Sequence, residues 1–316
     1  MKVLFIDHEC HRKTGSARFF LEILRREFEV AEHYYSSFYR TGAADQMQKN
    51  DVAVIWEFPV ARNKFFFSGK RNIFVPMYDN EWASFWQWKR IAWSGIGVIS
   101  FCDKISSHAR KCGVENLLDV RYFPDPESFP EQKSDLKKIF LWERSSVGKA
   151  IVEKLFPKAA GYSIVVKPAG EFLSLDEYLA RMADCGVVVA PRRKEGIGMA
   201  FLEAMAMGKC VVAHNDATMN EYIEDGQTGI LFDADNPRAV DEIKVGNVAE
   251  KIPAACLWMR KRWLEDSALI CEFISRQKAV APSLGCRIMM ALSYPLYLVE
   301  AIVHRVGSWC RKRAGF

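Results

Sequence analysis

Residues 190–213, "APRRKEGIGMAFLEAMAMGKCVVA", decide how this chain is read. An apolar strand end passes into a basic loop punctuated by Gly196 and Gly198, then into a short helix, then into a second strand. If 186–191 is a strand and the helix starts near Gly198, the unpaired N–H groups of its first turn face the loop at the carboxyl end of a sheet. They carry roughly half a positive charge and make a seat for phosphate. Glycine at 196 and 198 lets an anion approach the backbone without a Cβ in the way, with Ile197 and Met199 supplying further loop amides. Two carboxylates frame that seat. Glu195 lies in the loop, and Glu203 lies about 7 Å along the helix from Gly198 at ~1.5 Å per residue. Acceptor oxygens on both sides of an anion site suit a ligand with hydroxyls at both ends of its phosphates, as a sugar nucleotide has.

Outward from this stretch, strands and helices alternate. "KVLFID" (2–7) is a buried first strand, followed by a polar loop (8–16) and a helix (17–28). Apolar runs at 51–56, 72–78 and 95–101 are further strands, and 103–113 is a helix stopped by Gly113. A proline-rich, charged linker, "RYFPDPESFPEQKSD", interrupts the pattern, which restarts with a strand at 136–143 and continues to about residue 245. Such alternation implies parallel, doubly wound α/β sheets with ligands at the carboxyl ends of the strands. The expected layout is an N-terminal Rossmann-like domain over 1–130, a C-terminal Rossmann-like domain over 131–280 and a helical tail over 281–316, with the two domains facing across a cleft.

Composition sets the outer limits. The 316 residues are half hydrophobic and 26% charged, a globular balance with room for two cores. A net charge of +5 is too mild for a nucleic-acid footprint but allows an anionic ligand or a membrane surface. Nine cysteines, an odd number with no C-x-x-C pair, argue against a disulfide framework or structural zinc. The opening apolar run is too short for a signal-peptide core, and no stretch reaches the ~18 apolar residues of a spanning helix. A cytoplasmic protein is expected.

Four linked segments carry a family resemblance. "KEGIGMAFLEAMAMGKCVVA" resembles the E-G-[FIY]-G and E-A-[MLF]-A-x-G donor motif of retaining GT-B glycosyltransferases of the glycosyltransferase family 4 type, with the two glutamates at the family's spacing. "EYIEDGQTGILFDADNP" is similar to the segment that follows it there, and "FLWERSSVGK" to the strand and loop whose Arg and Lys pair with the donor diphosphate. The resemblance spans roughly 139–275. It implies transfer of a sugar from a nucleotide-diphosphate sugar to a glycan or lipid-linked acceptor, as in polysaccharide biosynthesis, with retention of configuration. In that scheme Arg144 and Lys149 neutralise the departing diphosphate, Glu195 contacts the transferred sugar and Glu203 holds the ribose. Gly196, Ile197, Gly198 and Met199 bind phosphate or sugar. No cofactor and no metal are implied, since cations and helix-start amides supply the charge, and Asp233 and Asp235 fall in the family's own loop rather than forming a metal-binding pair. "WERSSVGK" lacks the family's glycines before the arginine and after the lysine.

The N-terminal half resembles the family in architecture alone. Gly15 and Ser16 stand where paired glycines are usual, and with Asp79 and Glu81 at a strand end they are the acceptor-side candidates. His108 reads as a packing residue, and Trp82, Trp86 and Trp93 as an apolar stripe of core or interdomain packing, with a sugar or lipid platform as the alternative. The tail joins an apolar helix containing Pro295 to Arg287, Arg305 and Arg311–Arg313. It is either a closing helix or an in-plane interfacial helix on the inner face of the membrane, with contact through 287–313. Two other functions fit the same scaffold: a sugar-nucleotide epimerase, which would form isomers without an acceptor, and a non-catalytic binding protein, which would have lost nucleotide binding.

Overall fold

The computed structural model describes residues 1–36, 44–57, 71–80, 84–129, 134–144, 147–168, 171, 175–278 and 282–313. Glu81 and Trp82 lie outside the described residues. The chain divides into two compact units, one formed by 1–120 with 265–316 and the other by 121–264. The C-terminal residues therefore belong with the N-terminal unit instead of forming a separate tail, and the second unit ends at 264.

The first unit runs β1 (Lys2–His8), α1 (Glu9–Thr14), α2 (Arg18–Glu27), β2 (Glu29–Tyr35), α3 (Ala44–Gln48), β3 (Val52–Glu57), β4 (Arg71–Pro76), α4 (Phe85–Ser94), β5 (Gly97–Ser100), α5 (Asp103–Lys111) and β6 (Leu117–Asp119). Its six strands pair in parallel in the order β2-β1-β3-β4-β5-β6. β1 and β3 are near-continuous apolar runs because a parallel sheet is covered on both faces, and Val3, Leu4, Phe5, Ile6 and Val54 are fully buried. β2 is an edge strand with three of its seven residues charged or His, a pattern without the apolar alternation that marks a strand in sequence. The polar segment after β1, expected as a loop, forms α1. His8 caps its start by accepting from the Cys10 amide, and Gly15 ends it at φ 69°. Among the α4 tryptophans Trp88, not Trp86 or Trp93, is the fully buried one; it meets His108 edge-on, with ring centroids 6.1 Å apart. His108 is thus a packing residue, and burial lowers its pKa.

The second unit runs β7 (Asp135–Trp142), α6 (Lys149–Leu155), β8 (Ser163–Lys167), α7 (Leu175–Ala183), β9 (Cys185–Val189), α8 (Met199–Ala206), β10 (Cys210–His214), α9 (Met219–Tyr222) and β11 (Ile230–Phe232), followed by α10 (Glu242–Arg276), which continues past the second boundary. The parallel order is β11-β10-β9-β7-β8. Ile139, Leu141, Val187, Val189 and Val212 from the strands pack with Leu155 and Val248 from the helices and with Phe156 just after α6. In both units the chain steps from its first strand to a neighbour on one side and then crosses to the other side. The order reverses between β1 and β3 in one unit and between β7 and β9 in the other. Ligands of open α/β sheets settle in the crevice outside the carboxyl ends of the strands at such a reversal.

The final helix, α11 (Leu284–Arg313), satisfies one of its two expected roles directly. Met290, Ser293 and Tyr297 are buried against the first unit, and the Arg90 guanidinium donates to the Met290 carbonyl. The Glu300 carboxylate caps α4, accepting from the Ser84 hydroxyl and from the amides of Phe85 (2.9 Å) and Trp86 (3.3 Å). Other faces of the same helix are apolar and exposed. Leu284, Ile288, Leu292, Leu296, Val299 and Val303 recur at helical spacing, all at least 46% accessible.

Candidate functional site

Within the second unit, the reversal point gathers the residues singled out in sequence. Arg144 follows β7, the loop 190–198 follows β9, and α8 leaves that loop toward β10. Gly198 is the N-cap of α8 with φ 84°, a left-handed conformation that costs any other residue strain. A Cβ built there would stand 1.9 Å from Cε1 of Phe201, so the ring and the turn both demand glycine whether or not a ligand is near. Glu195, Gly196, Ile197 and Gly198 are buried. Met199 and Ala200 are partly accessible, and among the described residues no side chain caps the helix start. The amides offered by this helix are therefore those of its first turn.

A residue that sequence reasoning missed sets the loop. Thr218, fully buried, donates its hydroxyl to the Glu195 carbonyl (2.8 Å) and more weakly to the Gly196 carbonyl (3.4 Å). Its φ of 71° is an outlier for a β-branched side chain. A capping box with Glu221 holds Thr218 in that position, and Glu221 is itself fixed by Arg121 at 2.9 Å, both side chains about nine-tenths buried. The downstream segment "DGQTG" is a turn motif: Asp225 accepts from the Leu231 amide (3.0 Å), and the Thr228 hydroxyl donates to the Tyr222 carbonyl (3.0 Å). Asp235 pairs with Arg193 at 2.5 Å.

The electrostatics separate the two glutamates. Glu195 has Arg192 at 4.0 Å. Glu203 is partly accessible, no cation is set against it among the described residues, and burial pushes its pKa up to about 7, so that near neutrality it is about half protonated. Both act on Tyr178 of α7, whose phenol is raised first by burial, then by Glu203, with Arg144 opposing and Glu195 adding. Arg144, Glu195 and Glu203 are thus within electrostatic reach of one buried hydroxyl. Arg144 lies over the Trp142 ring at 3.8 Å, and Lys167 at the end of β8 lies over the same ring at 4.2 Å. Burial, aided by Arg144 and Arg181, lowers the Lys167 pKa. Lys167 adds a second cation that no motif announced. Lys149 is placed differently. It is exposed in the first turn of α6, 4.0 Å from Glu153 of its own helix, and its amide donates to Glu143 at 3.3 Å. Among the described contacts it touches neither Glu195 nor Glu203.

The acceptor-side candidates are in the first unit. Gly15 is exposed at the end of α1, and Ser16 accepts from the Thr14 hydroxyl at 3.3 Å. Asp79 is in the turn after β4, also at the carboxyl edge of its sheet.

Comparison with known proteins adds the following. Residues 146–243 match the family Glycosyl transferases group 1. An uncharacterized glycosyltransferase of Methanocaldococcus jannaschii is 38% identical over 69 residues, 22% of this chain and 20% of that protein. An alpha-D-kanosaminyltransferase of Streptomyces kanamyceticus is 43% identical over 56 residues, 17% and 14% of the two chains. The matched segments are thus about a fifth or less of these relatives' lengths. Among solved structures, Anabaena HepE in complex with UDP and glucose superposes with a TM-score of 0.57 at 15% identity, covering 87% of this chain and 99% of that one. A lipopolysaccharide outer core galactosyltransferase, WaaB, superposes with a TM-score of 0.55 at 12% identity, covering 87% and 99%.

Proposed function

We propose, for a chain that has the GT-B fold and belongs over residues 146–243 to the group 1 glycosyl transferases, that it is a glycosyltransferase moving a sugar from a nucleotide-diphosphate sugar to a hydroxyl of a glycan or lipid-linked acceptor, with retention. The observation that carries this reading is that Glu203, desolvated and with no cation set against it among the described residues, acts with Arg144 and Glu195 on the buried Tyr178 hydroxyl at the β7/β9 reversal, in the helix whose N-cap Gly198 supplies no side-chain cap. Arg144, Lys167 and the α8 amides favour a pyrophosphate, while Glu203 accepts hydrogen bonds from the ribose diol and Glu195 from the transferred sugar. The acceptor oxygen attacks the anomeric carbon as the carbon–phosphate-oxygen bond breaks. The acceptor proton passes to the departing diphosphate, whose charge the protein cations neutralise without a metal. Lys149 joins them if its exposed side chain swings from Glu153 toward the diphosphate. HepE is solved with UDP, which makes a uridine nucleotide the first donor class to test.

A membrane-bound acceptor is supported by α11. Among the described residues no helix is long and apolar enough to cross a membrane. The exposed Leu284–Val303 face, with Arg287 beside it and basic residues at 305 and 311–313 in the sequence, suits a helix lying in the interface of an anionic bilayer. On this reading the protein works at the cytoplasmic face of a membrane.

The test is a thermal-shift panel of nucleoside diphosphates and sugar nucleotides. A ligand at about 100 times its Kd stabilises by ~2.7 kcal/mol. UDP or another nucleoside diphosphate should shift the wild type, and Arg144→Ala and Glu203→Ala should lose that shift while retaining their circular dichroism. Normal shifts in both variants would remove the donor-site assignment.

A further inference from the structure

The last helix is worn inside out. At ~3.6 residues per turn, Leu292, Leu296, Val299 and Val303 share one face of α11, and Met290, Ser293, Tyr297 and Glu300 share another. The first face is apolar and meets water, each residue at least 46% accessible. The second lies toward the first unit and is largely polar. Glu300 accepts from the Ser84 hydroxyl and from the Phe85 and Trp86 amides of α4, and buried Ser293 donates to the Met290 carbonyl of its own helix at 3.1 Å. An amphipathic surface helix turns its apolar stripe to the core. Over these residues α11 does the reverse.

The seat on α4 is polar too, and docking leaves part of it unanswered. Arg90, 4% exposed, donates to the Met290 carbonyl and lies 5.3 Å from the centre of the Tyr294 ring, yet its Nε has no partner among the described residues. Burial lowers its pKa. Gln87, one turn earlier on the same face, is completely buried, and neither its amide oxygen nor its amide nitrogen has a partner among the described residues. Polar groups buried without partners keep their full desolvation cost. Lifting α11 returns water to Gln87 and Arg90 and lets the apolar face leave water for lipid. Against release stand the Glu300 contacts and the burial of Met290 and Tyr297.

We propose that α11 is a reversible strap, docked on α4 while the chain is in water and released from α4 when its apolar face enters an anionic bilayer. The inference rests on the membrane reading of α11 and deepens it by naming what the bilayer changes in the protein. It makes the two roles of this helix, closing the first unit and lying on lipid, two states of one equilibrium. Release uncovers the first turn of α4, which follows the Asp79 turn at the carboxyl edge of the sheet. The surface that presents a lipid-linked acceptor would thus also open that edge.

The experiment follows hydrogen–deuterium exchange of the full chain by mass spectrometry, alone and bound to vesicles of equimolar phosphatidylglycerol and phosphatidylcholine. On vesicles, the first-turn amides of α4 that Glu300 holds should exchange faster, while residues 284–300 become protected. Two substitutions on α4 leave every residue of α11 in place and shift the balance in opposite directions. Gln87→Leu replaces an unanswered amide by an apolar group of similar size, and should raise Tm and weaken vesicle binding at least about fivefold. Ser84→Ala removes one donor to Glu300 and should strengthen vesicle binding. If Gln87→Leu does not fold, Ser84→Ala and the wild-type exchange decide. Vesicle binding with an unchanged first turn of α4 would mean that α11 meets lipid while still docked, which overturns the proposal. Equal vesicle affinity in the wild type and the variants would overturn it as well. Failure to bind any anionic vesicle would instead sink the membrane reading, and the strap with it.

Discussion

Replacing Glu203 by Gln separates what the buried carboxylate costs the fold from what it contributes to binding. In the folded chain its pKa is about 7 against an ordinary 4.5, through burial. An acid whose folded pKa is raised binds its proton more tightly folded than unfolded, so stability falls as pH climbs from about 4.5 to about 7, and the full penalty applies above that. A shift of roughly 2.5 units at 1.36 kcal/mol each is a penalty of about 3 kcal/mol. At roughly 4 °C per kcal/mol for a unit of this size, this is on the order of 10 °C in Tm. Glu203→Gln cannot ionise. Its Tm should match wild type near pH 5 and exceed it by several degrees at pH 8.5, and taking the difference between the two proteins cancels the other titrating groups. Binding should respond in the opposite sense. A ribose diol donating to the carboxylate favours its ionised form, so UDP affinity of the wild type should rise with pH and level off above about 7. In the variant it should be weaker and insensitive to pH. Differential scanning fluorimetry from pH 5 to 8.5, with and without UDP, reads both. A Tm difference that stays constant over that range would refute the claim that Glu203 is desolvated, and with it the explanation of the site's electrostatics.

Three further outcomes are expected. Gly198→Ala should cost about 2–4 kcal/mol in urea unfolding, from the φ of 84° and the collision with Phe201, and adding Phe201→Leu should recover part of that loss. Thr218→Val removes the hydroxyl that satisfies two loop carbonyls and should destabilise by about 1–3 kcal/mol, read by the same unfolding curves; an unchanged midpoint would show that the loop is held by other contacts. Leu292→Glu combined with Val299→Glu, both on the exposed face of α11, should abolish co-sedimentation with anionic phospholipid vesicles while leaving the UDP thermal shift intact.

Much of this protein was legible in its amino-acid order because the relevant physics is local. Apolar runs such as 2–7 and 186–191 become central strands since a parallel sheet buries both faces, and the Gly198 turn is written in a residue without a side chain. The order of the two glutamates around that turn likewise fixed their places in the loop and helix that follow β9. Tertiary structure alone decided the rest, where the outcome depends on groups far apart in the chain. Thr218 reaches back 23 residues to hold the glutamate loop, and its positive φ has no signature in a β-branched residue. Lys167 arrives from the neighbouring strand β8 to share the Trp142 ring with Arg144. Asp7, His11 and Glu57 meet only because β1 and β3 lie side by side. The elevated pKa of Glu203 likewise comes from what covers it, since desolvation is a property of the assembled surroundings and not of a residue or its neighbours in sequence.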